Sequence, residues 1–313
     1  MMSTVTLSRR AFGKLAIGAG LSATWIGHAT AQYTLGTGLD IVQINRPGEG
    51  AVNSYILSGT DSIAILDGQR TGIEARQVVA LARGIGKPVD AIVLSHEHPD
   101  HFGGLQILAD AFPQAPILAS ETTARLVVQN GAATLAFMKT VFGNAMPDTV
   151  PRPTRILADG EKLRLAGLDW VVDQRGPCEA LGMTMLHQSE RNILFAADLV
   201  GNRVTPWLVD KSTGAWLAEL ETARTRYAGI ITCLPGHGAA APARALMDQE
   251  MSYLTFFRDL VRSEMAGASP LSAEAKRRIR AATLLRFPGY PAVAPAPDLI
   301  ELNADAVATE LRG

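Results

Sequence analysis

Three of the chain's six histidines stand within six residues, in His96-Glu97-His98-Pro99-Asp100-His101. The run before them, Ala91-Ile92-Val93-Leu94-Ser95, is apolar enough to be a buried strand. A strand ending in three imidazoles and a carboxylate gathers them at one sheet edge, and packing alone gives no reason to put them there. Neutral imidazole is the commonest biological metal ligand, and zinc takes nitrogen, sulfur and carboxylate oxygen. A short loop aims alternate side chains at two neighbouring points, so His96 and His98 can serve one ion and Asp100 and His101 a second. The competing reading is a solvated polar loop after a strand. Any fold for this chain has to bring a buried strand to an end at such a cluster.

The elements around the cluster alternate. The pattern predicts strands over 40–45, 53–57 and 62–66, and a helix over 72–84. After the cluster come a helix over 103–112, a strand over 116–119, and one or two helices over 121–142 with Gly131 between them. Two hairpins follow, 162–165 with 169–172 and 183–187 with 193–196. A helix over 213–227, a strand over 230–234 and a long amphipathic helix over 242–265 come next. A β-rich start, βα units and a return to strands predict two sheets with helices outside. From about Ser269 the character changes to two amphipathic helices around a Pro-rich stretch, which reads as a cap, an oligomer contact or a lid. Arg277, Arg278 and Arg280 in this tail read as a solvated helix face.

Three further motifs fit the cluster. Asp67 ends the strand Ile65-Leu66, and Asp198 follows the apolar run Leu194-Phe195-Ala196-Ala197. An unpaired carboxylate after a buried strand is costly, so a cation partner is expected for Asp198, with a turn or helix cap as the alternative. In Pro235-Gly236-His237-Gly238 the glycines let the backbone turn tightly and aim His237 back. Asp67 reads as a support that bonds backbone or a ligand histidine, or else as a turn residue.

Taken together, the H-x-H-x-D-H run, the two aspartates and the P-G-H-G turn resemble the metallo-β-lactamase superfamily over roughly residues 40–262. The resemblance implies an α/β four-layer αββα sandwich with the site at one sheet edge. Its implied metal ligands are His96, His98, Asp100, His101, Asp198 and His237, with Asp67 behind them. One motif departs from the family. Where members usually carry a metal-binding His, the stretch here is Gly176-Pro177-Cys178-Glu179-Ala180-Leu181-Gly182, and alignment puts Glu179 in the His position. Glu179 can ligate the same metal, act beside it or on substrate, or sit in an idle loop. As a ligand it makes the site less positive, which acidifies bound water less and favours a harder metal such as Mn or Fe over Zn.

The remaining signals are weaker. His187 reads as a surface residue. Cys178 and Cys233 can pair, Cys178 can ligate, or both are small buried thiols. The loop 200–210 carries Arg203 and Trp207, which can form a pocket wall with a cationic handle; Trp207 and Trp216 can equally be core. Phe137, Met138 and Phe142 read as core packing, with a helical insertion beside the site as the alternative.

Composition matters mainly at the N-terminus. Ser8-Arg9-Arg10-Ala11-Phe12 precedes an apolar stretch from Leu15 to Ile26 and the small residues Ala29-Thr30-Ala31. This predicts a cleaved leader over 1–31, similar to twin-arginine export signals, with the alternative of an uncleaved anchor. A periplasmic protein without a stable membrane anchor is expected after processing. The 313-residue chain has 29 basic and 30 acidic residues, and the leader holds three of the basic ones and no acid. The rest is therefore mildly acidic, which excludes a general attraction to nucleic acid and leaves a small-molecule substrate. The expected organisation is a leader (1–31), a metallo-β-lactamase-like domain (32–268) and a C-terminal helical extension (269–313).

The expected activity, as the resemblance implies, is metal-dependent hydrolysis. Zn is the expected cofactor, as one or two ions, with Fe or Mn as alternatives. An activated water attacks the carbonyl of an ester, lactone, thioester or β-lactam, and Asp100 is the catalytic residue that orients it or shuttles its proton. The rivals are an iron-dependent oxidoreductase of the same superfamily and an exported metal-binding protein without turnover.

Overall fold

The computed structural model of the chain describes residues 29–34, 38–45, 48–265 and 270–313. The predicted leader falls outside them except for Ala29–Ala31, which open the first strand. Seven strands form one sheet in sequence order: β1 (Ala29–Thr34), β2 (Asp40–Asn45), β3 (Ser54–Ser58), β4 (Ile63–Leu66), β5 (Val89–Val93), β6 (Ile117–Ser120) and β7 (Arg155–Leu157). The first four are antiparallel, and the pairs from β4 to β7 are parallel. Parallel neighbours need crossovers. These are supplied by α1 (Gly72–Ile85), by α2 (Pro99–Phe102) with α3 (Leu105–Ala111), and by α4 (Glu121–Phe142). Thr71 and Glu74 close a reciprocal capping box at the start of α1, and Gly86 ends it in the left-handed conformation.

The second sheet has the order β12-β11-β10-β9-β8. Its strands are β8 (Lys162–Leu165), β9 (Leu168–Arg175), β10 (Met183–Gln188), β11 (Ile193–Gly201) and β12 (Thr232–His237). Only its β11–β12 pair is parallel, and α5 (Thr213–Arg226) bridges it. Helices α6 (Ala243–Met265), α7 (Ala273–Arg286) and α8 (Leu299–Glu310) complete the chain.

Period-two alternation builds the layers. Ile41, Tyr55, Leu57, Ala64, Leu66, Ala91 and Val93 share one core with Trp170, Val172, Met185 and Phe195 of the second sheet. The Tyr55 and Phe195 rings meet edge to face with centroids 5.9 Å apart. The alternate residues Val42, Ile44, Ile56, Ile63, Ile65 and Ile92 pack instead with Val78, Val79, Leu105 and Leu108 of α1 and α3. Trp216 and Leu220 of α5 and Leu254 and Phe257 of α6 lie with the second sheet. The result is the expected αββα sandwich.

Of the one or two helices expected over 121–142 the structure has one: α4 runs unbroken through Gly131, and Leu135 and Met138 prolong its buried face against Met146. Two other local expectations change. Strand β11 does not end before Asp198 but continues to Gly201, with an irregular register and Ala197 at φ 44°. Such a bulge re-aims side chains within a strand. His187 is half-buried, its ring centroid 5.1 Å from that of Tyr227.

The tail belongs to the same body. Ile279, Phe287, Ile300, Ala304 and Val307 join the core that contains α6. Glu310 seals the joint at the N-terminus of α5. It accepts hydrogen bonds from the Thr213 and Gly214 backbone N–H groups at 3.1 and 2.8 Å and pairs with Arg258 at 2.7 Å. Arg278 pairs with Glu264 and Glu274, and Arg280 with Asp298, which makes the basic run a solvated, salt-bridged face. Glu310→Gln is expected to cost about 2 kcal/mol of unfolding free energy, the scale of charge-assisted hydrogen bonds. Burial opposes ionisation of Glu310, but the Thr213 and Gly214 donors outweigh it and hold the carboxyl below its ordinary range. Its contribution is therefore present above the unfolded pKa and is lost as pH falls through the folded one. Urea titrations of both proteins, at neutral pH and near pH 3, check that the gap narrows in acid.

Candidate metal centre

The seven predicted ligands come together from five places in the chain. His96 and His98 leave the C-terminal end of β5, and Asp100 and His101 sit in α2. Glu179 comes from the loop between β9 and β10, Asp198 from the β11 irregularity and His237 from the end of β12. The β11–β12 pairing sets Gly201 beside His237, which brings Asp198 and His237 together. Three overlapping groups result: His96, His98 and Glu179; Asp100, His101 and His237; and His96, His101 and Asp198. Within each group the candidate ligand atoms lie within 4.8 Å of one another. Asp198 Oδ2 is 3.0 Å from His237 Nε2, 3.4 Å from His101 Nε2 and 4.0 Å from His96 Nε2. His98 Nδ1 is 3.0 Å from Glu179 Oε1.

Hydrogen bonds behind the ligands orient three imidazoles. Asp67 Oδ1 accepts the Ser95 backbone N–H at 2.8 Å, and Oδ2 accepts the Ser95 hydroxyl at 2.8 Å. Oδ2 also lies 2.8 Å from His101 Nδ1, and a carboxylate can only accept there. Ser95, having donated to Asp67, accepts from His96 Nδ1 at 2.9 Å. His237 Nδ1 donates to the Ala51 carbonyl. With each Nδ1 carrying its proton, the Nε2 lone pairs of His96, His101 and His237 point into the cluster. Asp67 is thus the predicted support, held at φ 63° in a conformation most residues avoid.

The residues fit a cation. His96 Nε2, His101 Nε2, His237 Nε2, Glu179 Oε2 and Asp198 Oδ1 are buried without a hydrogen bond of ordinary geometry. Orphaned atoms of this kind are rare, and their gathering on residues of the three ligand groups matches what a metal ion requires. Burial and the neighbouring His101 hold His96 well below its ordinary value, in its ligating neutral form. Burial opposes protonation of His101 and His237, but the facing Asp198 outweighs it and raises both, so ion uptake displaces protons. Burial pushes Glu179 up to about 8, against the pull of His98.

Gly236 has a role the turn argument did not give it. A Cβ there would lie 1.6 Å from Asp198 Oδ1, so the glycine makes room for the carboxylate. Gly238, at φ 82°, is the residue that needs the left-handed turn.

Two residues beside the ligands escaped sequence reasoning. Arg70 is buried and pairs with Asp100 at 3.0 Å, while donating to the Val293 carbonyl at 2.6 Å and the Gly50 carbonyl at 3.2 Å. It holds the Asp100 carboxyl well below the usual range despite burial. Arg70 also returns to the site the positive charge that Glu179 removes, which corrects the charge argument for a harder metal. Asp210 lies 3.2 Å from His98 Nε2 and accepts from Trp207 Nε1 at 2.7 Å, steadying a ligand and a wall together. The run Asp67-Gly68-Gln69-Arg70 was legible as a loop after a strand, but nothing local marked Arg70 as a partner of Asp100, thirty residues away.

The cluster forms the floor of a cavity of about 680 Å³. Trp207 lines it, as predicted, while Trp216 is core, its indole bonded to the Leu199 carbonyl. The predicted handle Arg203 is not on the wall. Its guanidinium sits 5.8 Å over the Tyr290 ring and braces the tail. Phe137, Met138 and Phe142 line the cavity with Val141 from the end of α4, as the alternative of a helix beside the site has it, and Met138 also packs in a buried cluster with Leu135 and Met146. The segment 293–297 supplies the opposite wall, pinned by Arg70 and by backbone bonds between Thr205 and residues 291 and 293. Cys178 and Cys233 are buried and unpaired, and neither joins a ligand group among the described residues. Burial pushes the Cys178 thiol up to about 12, far from a ready thiolate.

Known proteins share this fold or parts of this sequence. A β-lactamase domain protein from Burkholderia ambifaria superposes with a TM-score of 0.66 at 18% identity, over 90% of this chain and 88% of that one. An uncharacterised protein of Bacillus subtilis, YobT, is 26% identical over 36% of this chain and 48% of its own length. A probable metallo-hydrolase of Streptococcus pyogenes is 31% identical over 23% of this chain and 30% of its own. The chain thus spans less than half the length of these curated relatives. The family model of the metallo-beta-lactamase superfamily matches residues 47–248, most of the sandwich and all seven candidate ligands, and the chain belongs to that superfamily.

Proposed function

We propose that the protein is a metal-dependent hydrolase that cleaves a carbonyl substrate: an ester, lactone, thioester or β-lactam. The observation that carries this is the set of overlapping His and carboxylate ligand groups, with orphaned buried donor atoms, at the floor of an open cavity. One or two divalent ions bound there, zinc by donor type, would lower the pKa of a water and polarise a carbonyl. His96, His98 and Glu179 would hold one ion, Asp100, His101 and His237 the other, and Asp198 would lie between them. Asp100, kept ionised by Arg70, accepts a hydrogen bond from the attacking water and orients it. Trp207 and the end of α4 exclude bulk water from the floor. Export to the periplasm as a processed protein is part of the proposal, supported by the leader alone. A small-molecule substrate is supported by the mildly acidic chain.

Metal analysis of the purified protein, followed by hydrolysis assays on an ester, lactone, thioester and β-lactam panel, tests this reading. Bound zinc, loss of turnover on chelation and recovery on adding zinc are expected. Bound iron with oxygen uptake would sink the hydrolase. Bound zinc without turnover, unchanged by Glu179→His, would make the protein a metal binder.

A further inference from the structure

The cavity above the ligands is unusual in what its walls lack. On one side stand Phe137, Met138, Val141 and Phe142, and on the other the run from Val293 to Pro297 with Leu302. Phe137, Val141 and Leu302 remain 65%, 54% and 45% exposed. Large apolar side chains gathered at the rim of one cavity mark a binding surface. Among the described residues no lysine lines this cavity, and the one arginine that does, Arg70, is a buried partner of Asp100. The carboxylates on the wall, Asp100, Glu179, Asp198 and Asp210, all belong to the cluster or steady it. An anionic group on the body of a substrate would therefore lie against apolar wall without a free cation to meet it, at a desolvation cost.

Building on the hydrolase reading, we infer that the site takes an uncharged ester or lactone with an extended apolar body. That body lies between the end of α4 and the 293–297 wall, and its carbonyl rests on the ligand cluster. Hydrolysis then forms one bond from water oxygen to the carbonyl carbon and breaks the acyl C–O bond. The water's proton goes to the departing alkoxide, giving a carboxylic acid and an alcohol. β-Lactams and carboxylate-bearing thioesters are disfavoured by the same walls. The volume of the cavity, about 680 Å³, suits a body of drug-like or medium-chain size.

Two measurements on the zinc-loaded protein test this. The first is kcat/KM for neutral p-nitrophenyl esters from acetyl to octanoyl, with the succinyl half-ester as the anionic control. The second is calorimetric binding of uncleavable 2-alkanones from pentanone to undecanone. A gain of about threefold per added methylene is expected in both, the scale of burying one such group. The succinyl ester should fall at least about tenfold below its neutral counterpart. In the double variant Phe137→Ser/Val141→Ser, two rim changes that leave the core intact, the octanoyl-to-acetyl ratio should drop about tenfold. Affinity that is flat or falls with chain length, or a preference for the anionic ester, overturns the inference whatever the turnover. Alkanone affinity that rises with length while no ester is cleaved overturns the hydrolase reading and supports the apolar-ligand assignment.

Discussion

Asp198→Ala is expected to abolish stable metal retention and to lower hydrolysis on the order of a thousandfold, equivalent to about 4 kcal/mol of barrier. Asp198 is the one carboxylate within 4.0 Å of three separate imidazoles, those of His96, His101 and His237. Its removal leaves both candidate ion positions without a shared anion. Asp198→Asn keeps the shape and loses the charge, so it should retain the fold and still lose the metal. Metal content after dialysis, read beside circular dichroism, checks both variants. Full metal content in either would refute the placement of Asp198 between the ions.

The second large effect is expected at Arg70. Truncation to alanine leaves the Asp100 carboxylate buried without its countercharge, and breaking a buried pair on one side costs about 3–5 kcal/mol. The cost should be concentrated in the metal-free protein, because a bound ion supplies the missing positive charge. Arg70→Lys should recover only part of the loss, since a lysine cannot reach Asp100, Gly50 and Val293 from one planar fork. Denaturant titrations of the metal-free and zinc-loaded forms decide the matter. An equal loss in both forms would mean that Arg70 acts by packing rather than as the countercharge of Asp100. The same variant should loosen the 293–297 wall, visible as faster amide exchange around Val293.

How much of the site was legible depended on how local each signal was. The run from His96 to His101 needed only a strand and a tight loop to bring it together, so it could be read directly. His237 was legible because Pro235, Gly236 and Gly238 mark its turn. Glu179 was reached only by alignment with the family pattern, since a lone glutamate in a loop carries no local mark; the structure puts it 3.0 Å from His98. Arg203 was misjudged because a positive charge in an overhanging loop says nothing about direction, and φ 57° turns it toward Tyr290. Helical periodicity separates apolar faces from polar ones, not core from cavity, so it leaves open whether Phe137 and Phe142 pack in the core or beside the site. One helix or two over 121–142 is open in the same way, because an interior glycine costs helix stability, a cost that the packing of Leu135 and Met138 offsets.

The sequence by itself determined the sandwich and the donor set. The order of strands and helices and the histidine donors follow from short-range facts: side-chain alternation along strands, turn residues at fixed offsets, and histidines clustered after an apolar run. The four-layer sandwich and the place of Glu179 come from the family resemblance those motifs carry. Only the tertiary structure decided what surrounds those donors. Arg70 meets Asp100, Asp210 meets His98, Gly236 gives Asp198 its space, and the tail near Val293 closes the cavity opposite α4. Each of these pairings joins residues far apart in the chain, and which distant groups meet is set by how two sheets and their helices pack. No local pattern encodes that packing, and it is the packing that makes the cavity wall apolar and, among the described residues, leaves it without a free cation.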